Sequence, residues 1–264
     1  MEKILLLGDV HGRVGSMNRV MWLKHNVGFD AAVFLGDTLF AQEKSFMEAL
    51  GSLDVPTYVL GGNHEDYDLI RAQGLAVYGT EPANAAVWSE TAGRNMDHMF
   101  WLPRGSHFTL GSTSFCAVGG AVSIDQASRT HGIDWWPEET IEYRKLEGNL
   151  QQSDVALFHD APSYPDIDIF LSDARPFGTE SRGHEMMKAA RDHRGILDWV
   201  VEQVQPSKVF HGHYHDDFHS VVGNVSYWGL CNIDAGILEM DKYVKINGDL
   251  VSEPPSGSWF VLEV

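Results

Sequence analysis

Nine side chains able to bind metal follow directly on short apolar runs. They are Asp9 and His11 in Gly8-Asp9-Val10-His11, Asp37 after Gly36, and Asn63 and His64 in Gly61-Gly62-Asn63-His64. His159 and Asp160 form a fourth group, and His211 and His213 a fifth in His211-Gly212-His213. The set mixes carboxylates, one amide oxygen and imidazoles, with no thiolate. Structural zinc sites favour cysteine, so this is not one. Mixed oxygen and nitrogen ligands suit Mn²⁺, Fe or Zn²⁺. The set exceeds one tetrahedral shell and is about right for two ions, and two ions roughly 3.5–4 Å apart are the apparatus of in-line phosphoryl displacement. Each piece alone has an ordinary explanation. Gly-Asp at a strand end is a turn in which Asp bonds its own backbone, and His-Gly-His can be a loop. Recurrence after five separate apolar runs is what that explanation leaves out.

Those runs must position the groups. Lys3–Leu7, Ala31–Leu35, Thr57–Leu60, Val155–Phe158 and Lys208–Phe210 are short and rich in Val, Ile, Leu and Phe. Such runs suit strands buried on both faces. In an α/β sheet the strand ends open onto a shared crevice where ligands bind. Helical spacing lies between them: Met17, Val20, Met21 and Lys24 after a capping Ser16; a helix opened by Pro137-Glu138-Glu139 toward Gln151; and Met186–Arg191 and Ile196–Val204, interrupted near Gly195. Alternating strand and helix argues α/β. Phe218–Tyr227 around Gly223-Asn224, Tyr243–Val251 around Asn247-Gly248, and Phe108–Gly119 around Gly111-Ser112 read as hairpins, with Trp259–Val264 as a last strand. A mixed, partly antiparallel sheet therefore packs on the α/β half. The chain reads as one domain over 1–264, with a loop-rich insertion or an ordinary connection at 79–104.

Composition bounds the function. The chain has 264 residues, 44% hydrophobic and 11% aromatic, enough for a full core and too apolar for dominant disorder. Two cysteines, Cys116 and Cys231, exclude a disulfide scaffold, and Cys116 reads as an inert core residue. Lys plus Arg number 19 against 37 Asp plus Glu, a formal charge of −18. Such a surface repels polyanions, so stable binding of duplex nucleic acid is not expected. No apolar stretch is long enough to span a membrane. Only four apolar residues, Ile4 to Leu7, precede Gly8, too few for a secretory signal. The expected location is the cytoplasm.

Taken in order, these groups resemble the calcineurin-like metallophosphoesterase family, whose pattern runs Asp-x-His, Gly-Asp-x-x-Asp, Gly-Asn-His-Glu/Asp, His and Gly-His-x-His. Here the counterparts are Gly8-Asp9-Val10-His11, Gly36-Asp37, Gly62-Asn63-His64-Glu65, His159 and His211-Gly212-His213. Gly119-Gly120-Ala121 through Trp135-Trp136-Pro137-Glu138-Glu139 is similar, more weakly, to small bacterial and bacteriophage members. There are two departures. The last motif keeps the ligand spacing of two without its leading Gly. Thr38, Leu39 and Phe40 follow Asp37, so the second Asp of Gly-Asp-x-x-Asp is missing. The protein Ser/Thr phosphatase branch uses Asp and Arg there to orient the acid and hold phosphate, so their absence argues against that branch.

The resemblance implies a four-layer α-β-β-α sandwich of two mixed sheets flanked by helices. It implies two divalent metal ions, Mn²⁺ first, with Fe, Zn²⁺, Ni²⁺ or Mg²⁺ as alternatives. Asp9, His11, Asp37 and His213 would hold one; Asp37, Asn63, His159 and His211 the other, with Asp37 bridging. His64 would be the general acid, oriented by Asp160, Glu65 or Asp66. The implied reaction is hydrolysis of a small phosphate ester by in-line attack of a metal-bridging hydroxide. The diester form, a cyclic nucleotide or short oligonucleotide, is favoured over a monoester. The alternatives are a phosphomonoesterase, and a noncatalytic scaffold of the same fold, against which every ligand position is filled. Further residues have plainer roles beside functional ones. Arg13 is a surface cation or a phosphate contact; His215 and His219 face solvent or bind metal. Trp135 and Trp136 split between core and surface or stack a base, and Tyr67 and Tyr214 neighbour the motifs and could line the pocket.

Overall fold

The computed structural model describes residues 1–39, 42, 44–89, 95–123, 125–172, 180–233, 243–246, 249–252 and 257–264. In chain order the strands are β1 Lys3–Leu7, β2 Ala31–Phe34, β3 Thr57–Leu60, β4 Ala83–Asn84, β5 Met99–Leu102, β6 Ser106–Leu110 and β7 Thr113–Val118. They continue as β8 Val155–Phe158, β9 Lys208–His211, β10 Phe218–Val222, β11 Val225–Gly229, β12 Tyr243–Ile246, β13 Asp249–Ser252 and β14 Trp259–Glu263. The helices are α1 Val14–Asn26, α2 Lys44–Leu50, α3 Tyr67–Ala72, α4 Tyr143–Leu146, α5 Pro165–Ser172 and α6 Glu180–Val204.

Among the described residues two six-stranded sheets form, ordered β14-β1-β2-β3-β5-β4 and β10-β11-β9-β8-β7-β6, and β12 pairs with β13 alone. Each has a parallel centre and antiparallel edges. Side chains alternate across each strand. Ile4, Leu6, Val33, Leu35 and Leu60 therefore face Phe115, Ala117, Leu157 and Phe210 in the core between the sheets. Leu5, Leu7, Ala32 and Phe34 point the other way, onto Met17, Val20, Leu23, Phe46, Met47 and Ile70 of α1, α2 and α3. Val118, Ala156, Phe158 and Val209 meet Leu146, Ile167, Leu197 and Val200 of α4, α5 and α6. This is the α-β-β-α sandwich that the resemblance implied. Because the central strands are covered on both faces, they carry no polar alternation.

Register decides where the functional loops emerge. Leu7 lies beside Phe34, and Phe34 beside Val59; Ala117 lies beside Leu157, and Leu157 beside Phe210. The C-terminal tips of β1, β2 and β3 thus finish level in one sheet, and those of β8 and β9 in the other.

Local expectations were met unevenly. The hairpins β6–β7 and β10–β11 turn where the glycines stand; the tip of β12–β13, residues 247–248, lies outside the described residues. Helix α1 begins at Val14 with Arg13 at its cap, and Ser16 is instead buried, its hydroxyl donating to the Val10 carbonyl at 3.2 Å. The helix expected from Pro137 to Gln151 is split into a 3₁₀ turn at Pro137–Glu139 and α4, because Thr140 turns extended and Glu139 folds back onto the Trp136 amide. Helix α6 runs straight through Gly195, where no atom lies within 4 Å of the place a Cβ would take; glycine there costs only about 1 kcal/mol of propensity. The 79–104 stretch supplies β4 and β5, and β5 extends the first sheet beyond β3; residues 90–94 lie outside the described residues.

Candidate metal centre

The level strand tips bring the groups together in three overlapping clusters: Asp9, His11 and His215; His11, Asp37 and His64; and Asp37, His159 and His213. Ligand atoms within each lie within 4.8 Å of one another. Tight loops aim them. His11, Asp37, His213 and His215 all have left-handed backbone, with φ of 46°, 47°, 70° and 56°. That region is costly for residues other than glycine and tends to persist where function holds it. Gly62 is required by crowding, since a Cβ there would collide with the Asp37 carboxylate. Gly36 needs its positive φ of 101°, and a side chain on it would strike the His159 ring.

The carboxylates are fixed from behind. Asp37 Oδ1 accepts the amides of Asn63 and His64 at 2.9 and 3.0 Å, and Asp9 Oδ1 accepts that of His213 at 3.0 Å. Their other oxygens face imidazoles. His215 Nε2 and His11 Nε2 lie 2.9 and 3.9 Å from Asp9 Oδ2, a buried atom with no hydrogen bond of good geometry. His64 Nε2 lies 3.8 Å from Asp37 Oδ2, and His159 Nε2 is 3.4 Å from Asp37 Oδ1 and 3.0 Å from Asn63 Oδ1. The other nitrogen of His159 lies 2.7 Å from the Leu35 carbonyl, which fixes the ring. His11 and His215 approach nitrogen to nitrogen at 3.0 Å. Packed carboxylates and imidazoles with lone pairs converging on common gaps are the donor set of divalent-cation sites, so the residues fit bound metal.

Electrostatics follow from this crowding. Burial alone would raise both carboxylates, but His159, with His64 and His11, holds Asp37 well below the usual range, and His215 and His159 do the same less strongly for Asp9. Burial opposes charge on His159, yet Asp37 and Asp9 outweigh it and push the ring up. Removal from water pushes His213 down to about 4.

His64 stands at the mouth with its side chain 36% exposed, enough to meet a ligand. None of its three expected orienting groups bonds its ring among the described contacts. Asp160 is engaged by His193 and the Tyr214 hydroxyl, Asp66 caps α3, and Glu65 accepts from the Thr38 and Gly62 amides. The neighbour is Arg129, whose guanidinium lies 3.1 Å from His64 Nε2, contacts the Asn63 carbonyl at 3.3 Å and pairs with Asp125 at 2.9 Å. Burial, partly offset by Asp37, and the charge of Arg129 hold the His64 pKa low.

The family model for calcineurin-like phosphoesterases matches residues 2–217. The chain belongs to the calcineurin-like phosphoesterase family. Its chemistry is therefore metal-dependent hydrolysis of phosphate esters, and the family normally carries a dinuclear metal centre. One solved structure aligns over 89% of this chain and 92% of its own at 13% identity and a TM-score of 0.54. TT1561 of Thermus thermophilus aligns over 88% of this chain and 89% of its own, at 13% identity and a TM-score of 0.50. At such identity these likenesses show the fold alone. A search of curated proteins found no match.

Within this calcineurin-like site, one expected ligand is out of place. His211 does not join the clusters: it is the last residue of β9, buried, with Nε2 2.7 Å from the Tyr164 hydroxyl and Nδ1 3.0 Å from the Gly212 carbonyl. A side chain still in the strand points into the sheet packing, while those of the following loop reach the crevice. His215, weighed between facing solvent and binding metal, is exposed and also reaches Asp9. The signal was present: Gly212-His213-Tyr214-His215 is an intact Gly-His-x-His, its histidine pair two residues further along than the expected one. Arg129 lies within the weaker Gly119–Glu139 resemblance without being singled out there, and the folded chain brings it to His64. Trp136 is buried and its indole bonds Asp68, whereas Trp135 packs on His131. Tyr67 and Tyr214 serve as supports, donating to the Gly62 carbonyl at 2.6 Å and to Asp160 at 2.5 Å. His219 stacks on Trp228, and Cys116 is a free core thiol pushed up to about 12. No helix among the described residues is long and apolar enough to cross a membrane.

Proposed function

We propose that this calcineurin-like protein is a Mn²⁺-dependent phosphodiesterase acting on small diesters, such as cyclic nucleotides or short oligonucleotides. The observation that carries the reading is the chain of overlapping clusters, with His64 partly exposed at the mouth beside Arg129. Asp9, His11 and His215 would hold one ion and Asn63, His159 and His213 the other, with Asp37 within reach of both. When bound, such ions act as Lewis acids and make a nucleophile available from water near neutral pH. His64 would protonate the departing oxygen, and its depressed pKa makes it the more willing donor once protonated. Arg129 would donate to a nonbridging phosphate oxygen, with Asp125 restraining its guanidinium. Its side chain is only 9% exposed, so little ordering remains to be done on binding.

Diester preference is supported by charge. A diester carries one negative charge and a monoester nearly two. The structure sets one guanidinium against His64 in a chain of net charge −18. The loop after Asp37 lacks the Asp and Arg with which the protein phosphatase branch holds a phosphorylated side chain. A cytoplasmic setting agrees with two free cysteines. Bis-nitrophenyl phosphate assayed against mono-nitrophenyl phosphate, with added Mn²⁺, separates the readings. Faster turnover of the diester is expected; a preference for the monoester sinks the diester assignment.

A further inference from the structure

Asn63 can serve a cation only through Oδ1, yet its amide has two nearly isosteric ends. Something must choose between them. The Asn63 Nδ2 group donates to the Ser123 hydroxyl at 2.8 Å, and that hydroxyl donates to Glu139 Oε2 at 2.6 Å. The other oxygen, Glu139 Oε1, accepts the Trp136 amide at 3.1 Å. All three side chains belong to buried residues. A hydroxyl has one proton. Spent on Glu139, it leaves Ser123 able only to accept from Asn63. The amide must then present its NH₂ to Ser123, which leaves Oδ1 3.0 Å from His159 Nε2, on the side shared with Asp37.

The three residues come from separate places: the loop after β3, the segment after β7 and the 3₁₀ turn at Pro137–Glu139. Their alignment is braced by the Gly120 amide, which donates to the Gly61 carbonyl at 2.8 Å. Neither Ser123 nor Glu139 is in any of the three clusters.

We infer that Ser123 and Glu139 are positioning residues: the chain Glu139–Ser123–Asn63 aims the asparagine oxygen at the second metal ion. The inference rests on the binuclear reading above. Its test is calorimetric titration of metal-stripped, full-length protein with Mn²⁺, beside the Mn²⁺ spin-coupling signal and a thermal melt. Ser123→Ala removes the acceptor. Glu139→Gln lets an amide donate to Ser123, so the hydroxyl turns its proton toward Asn63 and favours the flipped amide. Each variant should bind one of two Mn²⁺ ions about 10–100-fold more weakly, the range for supporting groups of metal ligands. The other ion should keep its affinity, the coupling signal should fade, and the metal-free melt should hold. Ser123→Thr keeps the hydroxyl and should restore the weak ion. If its added methyl lowers the melt, Glu139→Gln decides alone. Wild type that binds two ions while Ser123→Ala and Glu139→Gln bind both as tightly overturns the relay and leaves the binuclear reading standing. Wild type that fails to bind two ions overturns both.

Discussion

His64 and its neighbours divide the labour by what each can reach. Asp9, Asp37, Asn63 and His159 are buried against one another, while His64 opens to the mouth, where His215 is also exposed. His64→Ala should therefore retain Mn²⁺ and lose about 10²–10⁴ in turnover on alkyl phosphate esters, the usual worth of a general acid. The loss on a nitrophenyl ester, whose leaving group needs no proton, should be much smaller; equal losses in a steady-state comparison would rule out the acid role. His215 and His211 make a matched pair. His215→Ala should lose one Mn²⁺ in a titration. His211→Ala should keep both ions and lose stability instead, by about 1–3 kcal/mol for the unpaired Tyr164 hydroxyl. The opposite pattern would restore His211 as a ligand. The pair also shows why residue assignments were only partly legible. Residue types and spacing located the His-rich loop, but whether a ligand lies at the end of β9 or just past it depends on where the strand stops, and a two-residue spacing fits both choices.

At the scale of elements, the apolar runs were legible because parallel strands covered on both faces carry no polar alternation to confuse them. The glycines after them marked where the chain turns. Helix boundaries were less legible, because tertiary contacts overruled propensity: Ser16 was taken into the core, and Glu139 bent its own segment into a turn. The strand-end loops can be tested by filling the space they leave. Gly62→Ala would push a methyl group into the Asp37 carboxylate, the group shared by two of the clusters. Mn²⁺ affinity should fall at both sites together, in contrast to the single-site loss expected for Ser123→Ala. Calorimetry showing two unchanged sites would mean that the β3 loop yields more easily than its packing implies.

For the whole molecule, composition set limits without naming a substrate. A charge of −18 keeps long polyanions away at moderate salt, so a mobility assay with duplex DNA should show no complex at physiological ionic strength. A stable complex that dissolves with added salt would expose a cationic face. The sandwich itself was legible only through resemblance: alternation of strand and helix predicts α/β, but not that β4 and β14 flank the first sheet. Ser123, Arg129 and Glu139 fall within the weaker Gly119–Glu139 resemblance, but that stretch gave them no role, because their role exists only once two distant loops meet. The chemistry as a whole stands on metal placement. Crystals grown with Mn²⁺ and measured for anomalous scattering should show two peaks per chain, one among Asp9, His11 and His215, the other among Asn63, His159 and His213, with Asp37 touching both. A single peak, or one seated on His211, would contradict it.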